Sequence, residues 1–433
     1  MRRIAALTLL SLALLRPAQA QPLQVVDAAT GKQISGATVV EAGQALQADA
    51  QGDFDTQGNT GTLFVRAPGY RAGNFDLAAP PADGKLLLAP FTPHALYLSV
   101  YGAGSHALLG NALALAQSGA VNALVVDIKG DSGIIPYPSA VPLAQQDGAR
   151  RITTIPDLAA FVRMLHARGI YAIARIVTFK DDALATYRPD LAVHTASGAP
   201  FRDRENMAWT DPFQPEVRAY DIAIATEAAQ AGFDEIQFDY LRFPDASQTL
   251  QFAHPISAPA RVATIAGFLA EARQQLRPYN VYVSADIFGY VCWNRNDTGI
   301  GQTLDAVAPN VDYISPMLYP SGFQFGIPGY PNPVEHAYDI VYLSLQQAQQ
   351  RLNISPLRFR PWLQAFTDYA FDHRPFGGDE IGEQTRAASD FGSDGWMLWN
   401  PRNDYSNAGL NPAAEPFQPD TAPAPAPLPR PGG

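Results

Sequence analysis

The sequence predicts an α/β fold, a (β/α)8 barrel preceded by a small all-β sandwich. Three observations carry this expectation. From about residue 93, eight apolar strand-like runs alternate with helical patterns over roughly 310 residues. Residues 22 to about 89 show short strands and turn signals with no helical period. No Gly-rich phosphate fingerprint follows the first strand of the alternating region, which argues against an open doubly wound sheet.

The chain opens with MRRIAALTLLSLALLRPAQA. Arg2 and Arg3 precede an apolar run from Ile4 to Leu15, and Ala18-Gln19-Ala20 is a small-x-small cleavage site. Residues 1–20 therefore read as a signal peptide, with an apolar run too short to span a bilayer. The expected destination is the periplasm or the outside, with no stable membrane insertion after cleavage. The 433 residues are 47% hydrophobic and 16% charged, enough to bury a core, and the formal net charge is −11. No basic run or face points to nucleic acid. Cys292 is the only cysteine and reads as a small buried hydrophobe.

Residues 21–90 form the expected sandwich. Residues 91–408 form the expected barrel, with strands at 95–101, 123–129, 171–179, 235–243, 281–288, 313–319, 360–366 and 395–400. Between them, segments such as PDLAAFVRMLHARG repeat apolar residues at three and four. Gly169 and Gly232 stand where C-terminal helix caps belong. Residues 409–433 are Pro/Ala-rich and read as an extended, disordered tail.

The barrel gives meaning to one unusual strand. In GFDEIQFDYLRFP, Glu235, Gln237 and Asp239 alternate with Ile236, Phe238 and Tyr240. Such a strand packs one face on helices and turns the other into the lumen, and sites form at the C-terminal strand ends. Asp239 then lies nearest the mouth and Glu235 near the base. Other strand ends repeat the theme. Asp127 and Lys129 close the second strand, and Arg175 lies in the third. Asp286 closes the fifth, Tyr319 the sixth, Gln364 and Asp368 follow the seventh, and Trp399 closes the eighth. The long segment 180–214 carries Trp209 and Asp211, and the loop after strand six carries Phe323, Phe325 and Tyr330. Aromatic rings on mouth loops suit the apolar faces of sugars.

Metal and nucleophile motifs are absent from the sequence. The seven histidines are scattered, with no HExxH pair, and there is no GxSxG elbow. No metal or cofactor is expected. Carboxylates are the abundant reactive groups at the strand ends, and paired carboxylates are what glycoside cleavage needs.

Two resemblances add to this reading. The segment VVDAATGKQISGATVV…GDFDT…VRAPGYR resembles the carboxypeptidase regulatory-like domain, which implies a structural or adhesive role. GFDEIQFDYLRFP, VVDIKGDSG, SADIFGY and YISPMLYPSGF resemble a bacterial glycoside hydrolase-like barrel family catalogued largely as a domain of unknown function. That resemblance implies a (β/α)8 fold and catalytic carboxylates at Asp239 and Asp286. The fourth strand is also similar to that of chitinase-type barrels, but Gln237 replaces their middle acid and Leu241 stands where their catalytic Glu belongs.

The expectation is thus an exported glycoside hydrolase acting on a polysaccharide or envelope glycan. Asp239 is expected as nucleophile and Asp286 as acid/base. Asp127, Lys129, Arg175, Trp209, Asp211 and Gln237 are expected to bind substrate, as are Arg242, Tyr319, Gln364, Asp368 and Trp399. The rival is a barrel that binds glycans of the cell envelope without cleaving them, and a third reading is a purely architectural envelope protein. The sequence leaves sugar, linkage and oligomeric state open.

Overall fold

A computed structural model describes residues 23–419 apart from positions 57, 59 and 413. The expected signal peptide and the end of the tail lie outside the described residues.

Eight parallel strands close a barrel in sequential order. They span His94–Leu98, Ala123–Lys129, Tyr171–Val177 and Glu235–Asp239, then Tyr282–Phe288, Tyr313–Met317, Trp362–Gln364 and Trp396–Trp399. The fold class read from the sequence is therefore the observed one. Strands two to four are buried along their whole length, because helices cover one face and lumen side chains fill the other. Outward residues such as Leu124, Ile176, Ile236 and Phe238 pack with helix Pro215–Ala231 and its neighbours in the main core. Inward residues, among them Tyr97, Val125, Ile173, Tyr282 and Trp362, form a second cluster inside the barrel.

The fourth strand is shorter than the apolar pattern suggests. It ends at Asp239 because Tyr240 adopts φ +48°. A bulky aromatic residue in the left-handed region is strained, and strain of that kind clusters at functional sites. Helix Pro215–Ala231 ends at Gly232 with φ +100°, where the absent Cβ makes the left-handed cap cheap.

The described part of residues 21–90 consists of two small sheets. One holds Leu23–Asp27, Asp53–Phe54 and Lys85–Leu88; the other holds Thr38–Glu41, Gln44–Gln47, Thr62–Arg66 and Gly73–Asp76. Val25, Val39, Leu63, Val65 and Leu86 are fully buried between them. This unit seals the base of the barrel. Arg66 Nε reaches Asp312 at 3.2 Å, Tyr282 Oη lies 2.7 Å from the Tyr70 carbonyl, and the Gly69 amide donates to Tyr313 Oη at 3.2 Å. Just inside, Arg360 pairs with Glu235 and, at 2.8 Å, with Asp394, all fully buried. Glu235 is thus a structural acid at the base, and the open end lies opposite.

The tail departs from the sequence expectation over its described part. The Phe417 amide donates to the Gly169 carbonyl at 2.7 Å, and the Phe417 ring meets Phe91 at a tilt and Tyr171 edge-on, with centroids 5.1 and 5.2 Å away. The Pro/Ala composition hides one aromatic anchor that buries itself under the barrel.

Candidate active site

At the open end lies a cavity of about 420 Å³, large enough for a sugar or two. Asp239 and Asp286 both line it. They come from neighbouring strands paired through Gln237 with Ser284 and Phe238 with Ala285. One more step in that register sets Asp239 beside Asp286, where strands lie ~4.8 Å apart.

The two carboxyls have different surroundings. Asp239 Oδ2 accepts from Arg175 Nε at 2.9 Å and Nη2 at 2.5 Å, and Oδ1 accepts from the Tyr240 amide at 2.5 Å. That last bond ties the carboxylate to the backbone at the left-handed turn. Asp286 faces no cation at salt-bridge distance among the described residues. Its Oδ1 accepts from Trp362 Nε1 at 2.8 Å, while its buried Oδ2 has no partner. Burial, reinforced by the negative charge of Asp239, pushes Asp286 well above the ordinary carboxylate range. Asp286 is therefore the member of the pair that holds its proton more firmly, and Asp239 beside it is ion-paired with Arg175. Environments that separate two acids in this way mark acid/base assignments.

Arg175 organises this half of the site. Its Nη1 donates to Asp127 Oδ1 at 2.6 Å, and Asp127 Oδ2 accepts from Tyr97 Oη at 2.7 Å. Burial opposes the Arg175 charge, but Asp127 and Asp239 outweigh it and hold the guanidinium protonated. Its face lies 4.8 Å from the Trp399 ring, which itself stacks on Tyr97 at 3.9 Å. Burial raises Asp127 to about 6 against the pull of Arg175. Tyr319 also lines the cavity, and burial together with Asp239 and Asp286 keeps its phenol protonated.

Residues 95–405 match the family DUF4015, whose description is "Putative glycosyl hydrolase domain". The chain belongs to this family. Among curated proteins none matches the sequence. A hypothetical protein of known structure from Ruminiclostridium thermocellum ATCC 27405 is 38% identical over 44% of this chain and 96% of its own, with a TM-score of 0.39. The glycoside hydrolase domain of PgaB (BpsB) from Bordetella bronchiseptica is 15% identical over 72% of this chain and 95% of its own, with a TM-score of 0.54. A class V chitinase from Nicotiana tobaccum is 12% identical over 75% and 98%, with a TM-score of 0.44. The likeness to the PgaB domain is one of fold.

Within this glycosyl hydrolase-like barrel the sequence-selected residues divide into three groups. Asp239, Asp286, Arg175, Arg242, Tyr319 and Trp399 line the cavity. Asp127, Gln237 and Trp209 stand one layer behind it: Asp127 holds Arg175, and Gln237 bonds Ser315 Oγ at 3.4 Å. Trp209 lies under Arg242, with its Nε1 donating to Asp203 at 3.0 Å.

Lys129, Asp211, Gln364 and Asp368 are corrected to structural positions. A register slip at Ile128 pairs Lys129 with Ile176, turning it from the lumen to the helix layer. There it bonds Asp181 at 2.8 Å and Asp221 at 2.6 Å with no exposure. Asp211 accepts from the Phe213 and Ala253 amides and ties two loops together. Gln364 and Asp368 both grip Ser321 behind the cavity wall. Burial alone would raise Asp368, but Ser321 and the amides of residues 370–373 bring it down to about 2.

Some lining residues escaped the sequence reading. Tyr240 looked outward-facing by alternation, but its positive φ turns it into the cavity wall. Phe288 ends the fifth strand two residues after Asp286 and was open to the same alternation, whereas Arg204, Gln302, Phe366 and Tyr369 come from loops, where no strand period exists to select them. Trp362 was findable, since its alternation places it on the lumen face.

Proposed function

We propose that this protein is an exported glycoside hydrolase that cleaves a polysaccharide or envelope glycan. Asp286 is the acid that protonates the leaving oxygen, and Asp239 is the carboxylate that attacks the anomeric carbon. The observation that carries the reading is the pairing of a buried carboxyl that has no cation and one unpartnered oxygen with an ion-paired carboxyl on adjacent strand ends. The expected spacing of such neighbours agrees with the ~5–5.5 Å of retaining enzymes. In the first step Asp286 Oδ2–H gives its proton to the glycosidic oxygen as that bond breaks, and Asp239 Oδ1 bonds to the sugar. In the second, Asp286 takes a proton from water, which displaces Asp239 from the sugar. Arg175 orients Asp239 and tempers its charge, while Trp399 and Tyr319 form walls for the ring. Export rests on the N-terminal twenty residues. The sandwich serves as an accessory unit like the regulatory-like domain it resembles.

One feature favours the rival reading, glycan binding without cleavage. Arg175 engages Asp239 twice, which weakens its nucleophilicity. The test is a screen of the purified chain on envelope and plant polysaccharides with mass spectrometry of products. Cleavage that disappears in Asp286→Asn but returns on aryl glycosides with good leaving groups supports the acid role, since such groups leave without a proton. Binding with no product from any polymer after long incubation would leave only the rival.

A further inference from the structure

Three arginines line the cavity, and two of them have no acid of their own. Arg175 is occupied by Asp127 and Asp239, with Asp131 at 3.5 Å. Arg204 and Arg242 have no carboxylate within salt-bridge distance among the described residues. Elsewhere the fully buried arginines Arg66 and Arg360 are paired with acids. The chain carries 41 acidic and 30 basic residues, so acids are not scarce.

Arg242 is also fixed in place. Its guanidinium sits 4.8 Å from the Trp209 ring and 5.4 Å from the Tyr240 ring, and it donates to the Phe243 carbonyl at 3.1 Å. Asp203, which could have neutralised it, is turned to Trp209 Nε1 and the Met207 amide. Lys180 lies 4.8 Å from the Tyr240 ring but is paired with Glu205 at 2.6 Å. The aromatic rings hold the cation without cancelling its charge. Arg175 is matched by its own acids, so Arg204 and Arg242 are the guanidiniums of the cavity wall that stand without a carboxylate at salt-bridge distance among the described residues, and they make that wall positive.

Resting on the hydrolase reading above, we infer that the substrate is an anionic glycan whose carboxylate or sulfate is received by Arg242 and Arg204. Guanidinium forks match planar or tetrahedral oxyanions with paired hydrogen bonds. Neutral sugar hydroxyls need acceptors as much as donors, and arginine supplies donors alone. Amino sugars with a free ammonium group are repelled by this wall.

The experiment measures binding separately from cleavage. Calorimetry on the full chain compares oligomers of a polyuronate, a sulfated glycan, a neutral glucan and chitosan at two salt concentrations. The expected result is salt-sensitive binding of an anionic oligomer only, with the uronate and sulfate arms identifying which oxyanion is used. Chemical reduction of uronate carboxyls to alcohols should abolish binding to that polymer. Arg242→Gln and Arg204→Gln should each weaken binding roughly 10- to 100-fold, as loss of a charge-assisted hydrogen-bond pair does. Arg204 is exposed, so its variant leaves folding untouched, and Arg242→Lys should keep part of the preference. Equal or tighter binding of the neutral or cationic oligomer, or unchanged affinity in both Gln variants, overturns the inference. Cleavage of a neutral glycan would refute it while upholding the hydrolase reading. Anionic binding without product would do the reverse.

Discussion

Replacing Asp286 with Asn should make the fold more resistant to denaturation as pH rises, while removing activity. An unfolded Asp ionises near 3.8, whereas Asp286 in the fold stays protonated well above that. Between those two values the folded chain holds a proton that the unfolded chain has released. Wild-type stability therefore falls with rising pH by about 1.4 kcal/mol per unit from this group. Asn carries no such dependence, so the variant gains on the wild type by the same slope. Any fixed cost of fitting an amide beside Trp362 Nε1 is independent of pH and drops out of the comparison. Urea unfolding followed by tryptophan fluorescence at pH 5 and pH 6 provides the assay. With a urea slope of ~3 kcal/mol per M or more for a chain of this size, the difference in midpoints should widen by up to roughly 0.5 M. Asp239→Asn is the control of the same chemistry, because it removes a charged partner from Arg175 and should cost about 1.5–3 kcal/mol. A midpoint difference for Asp286→Asn that stays constant from pH 5 to pH 6 would refute the raised proton affinity of Asp286.

Other outcomes follow from the same geometry. Trp362→Phe removes the hydrogen bond that lowers Asp286, so the alkaline limb of the pH–activity profile should move to higher pH on whatever glycan is cleaved. Lys129→Met leaves Asp181 and Asp221 buried without their cation and should cost about 3–5 kcal/mol in urea unfolding, with the KM of the folded fraction unchanged. Phe417→Ala should cost about 3–5 kcal/mol by emptying the pocket against Phe91 and Tyr171, measured by the unfolding midpoint. Tyr240→Gly should relieve about 1 kcal/mol or more of backbone strain yet lower turnover, because the ring that holds Arg242 is gone.

The accuracy of the sequence reading followed how regular the backbone is at each position. Alternation along strands four and five put Asp239 and Asp286 on the lumen side, and the continuous pairing of those strands kept them there. The same rule failed for Lys129, where one slipped residue reversed the face. It failed again for Tyr240, where a left-handed turn brought an outward residue into the cavity. Gln364 and Asp368 were chosen as polar residues near a strand end, but Ser321 and nearby amides bind them behind the wall.

Sequence alone determined the architecture and the lumen-side placement of Asp239 and Asp286, because both depend on period-two alternation and strand count. Only the tertiary structure decided the state of those acids and which cations are free. Asp127, Arg175, Asp239 and Asp286 come from four different strands, and the charge on each depends on distances to the others. Such distances are set by barrel closure and loop packing, and no local pattern of residues encodes them.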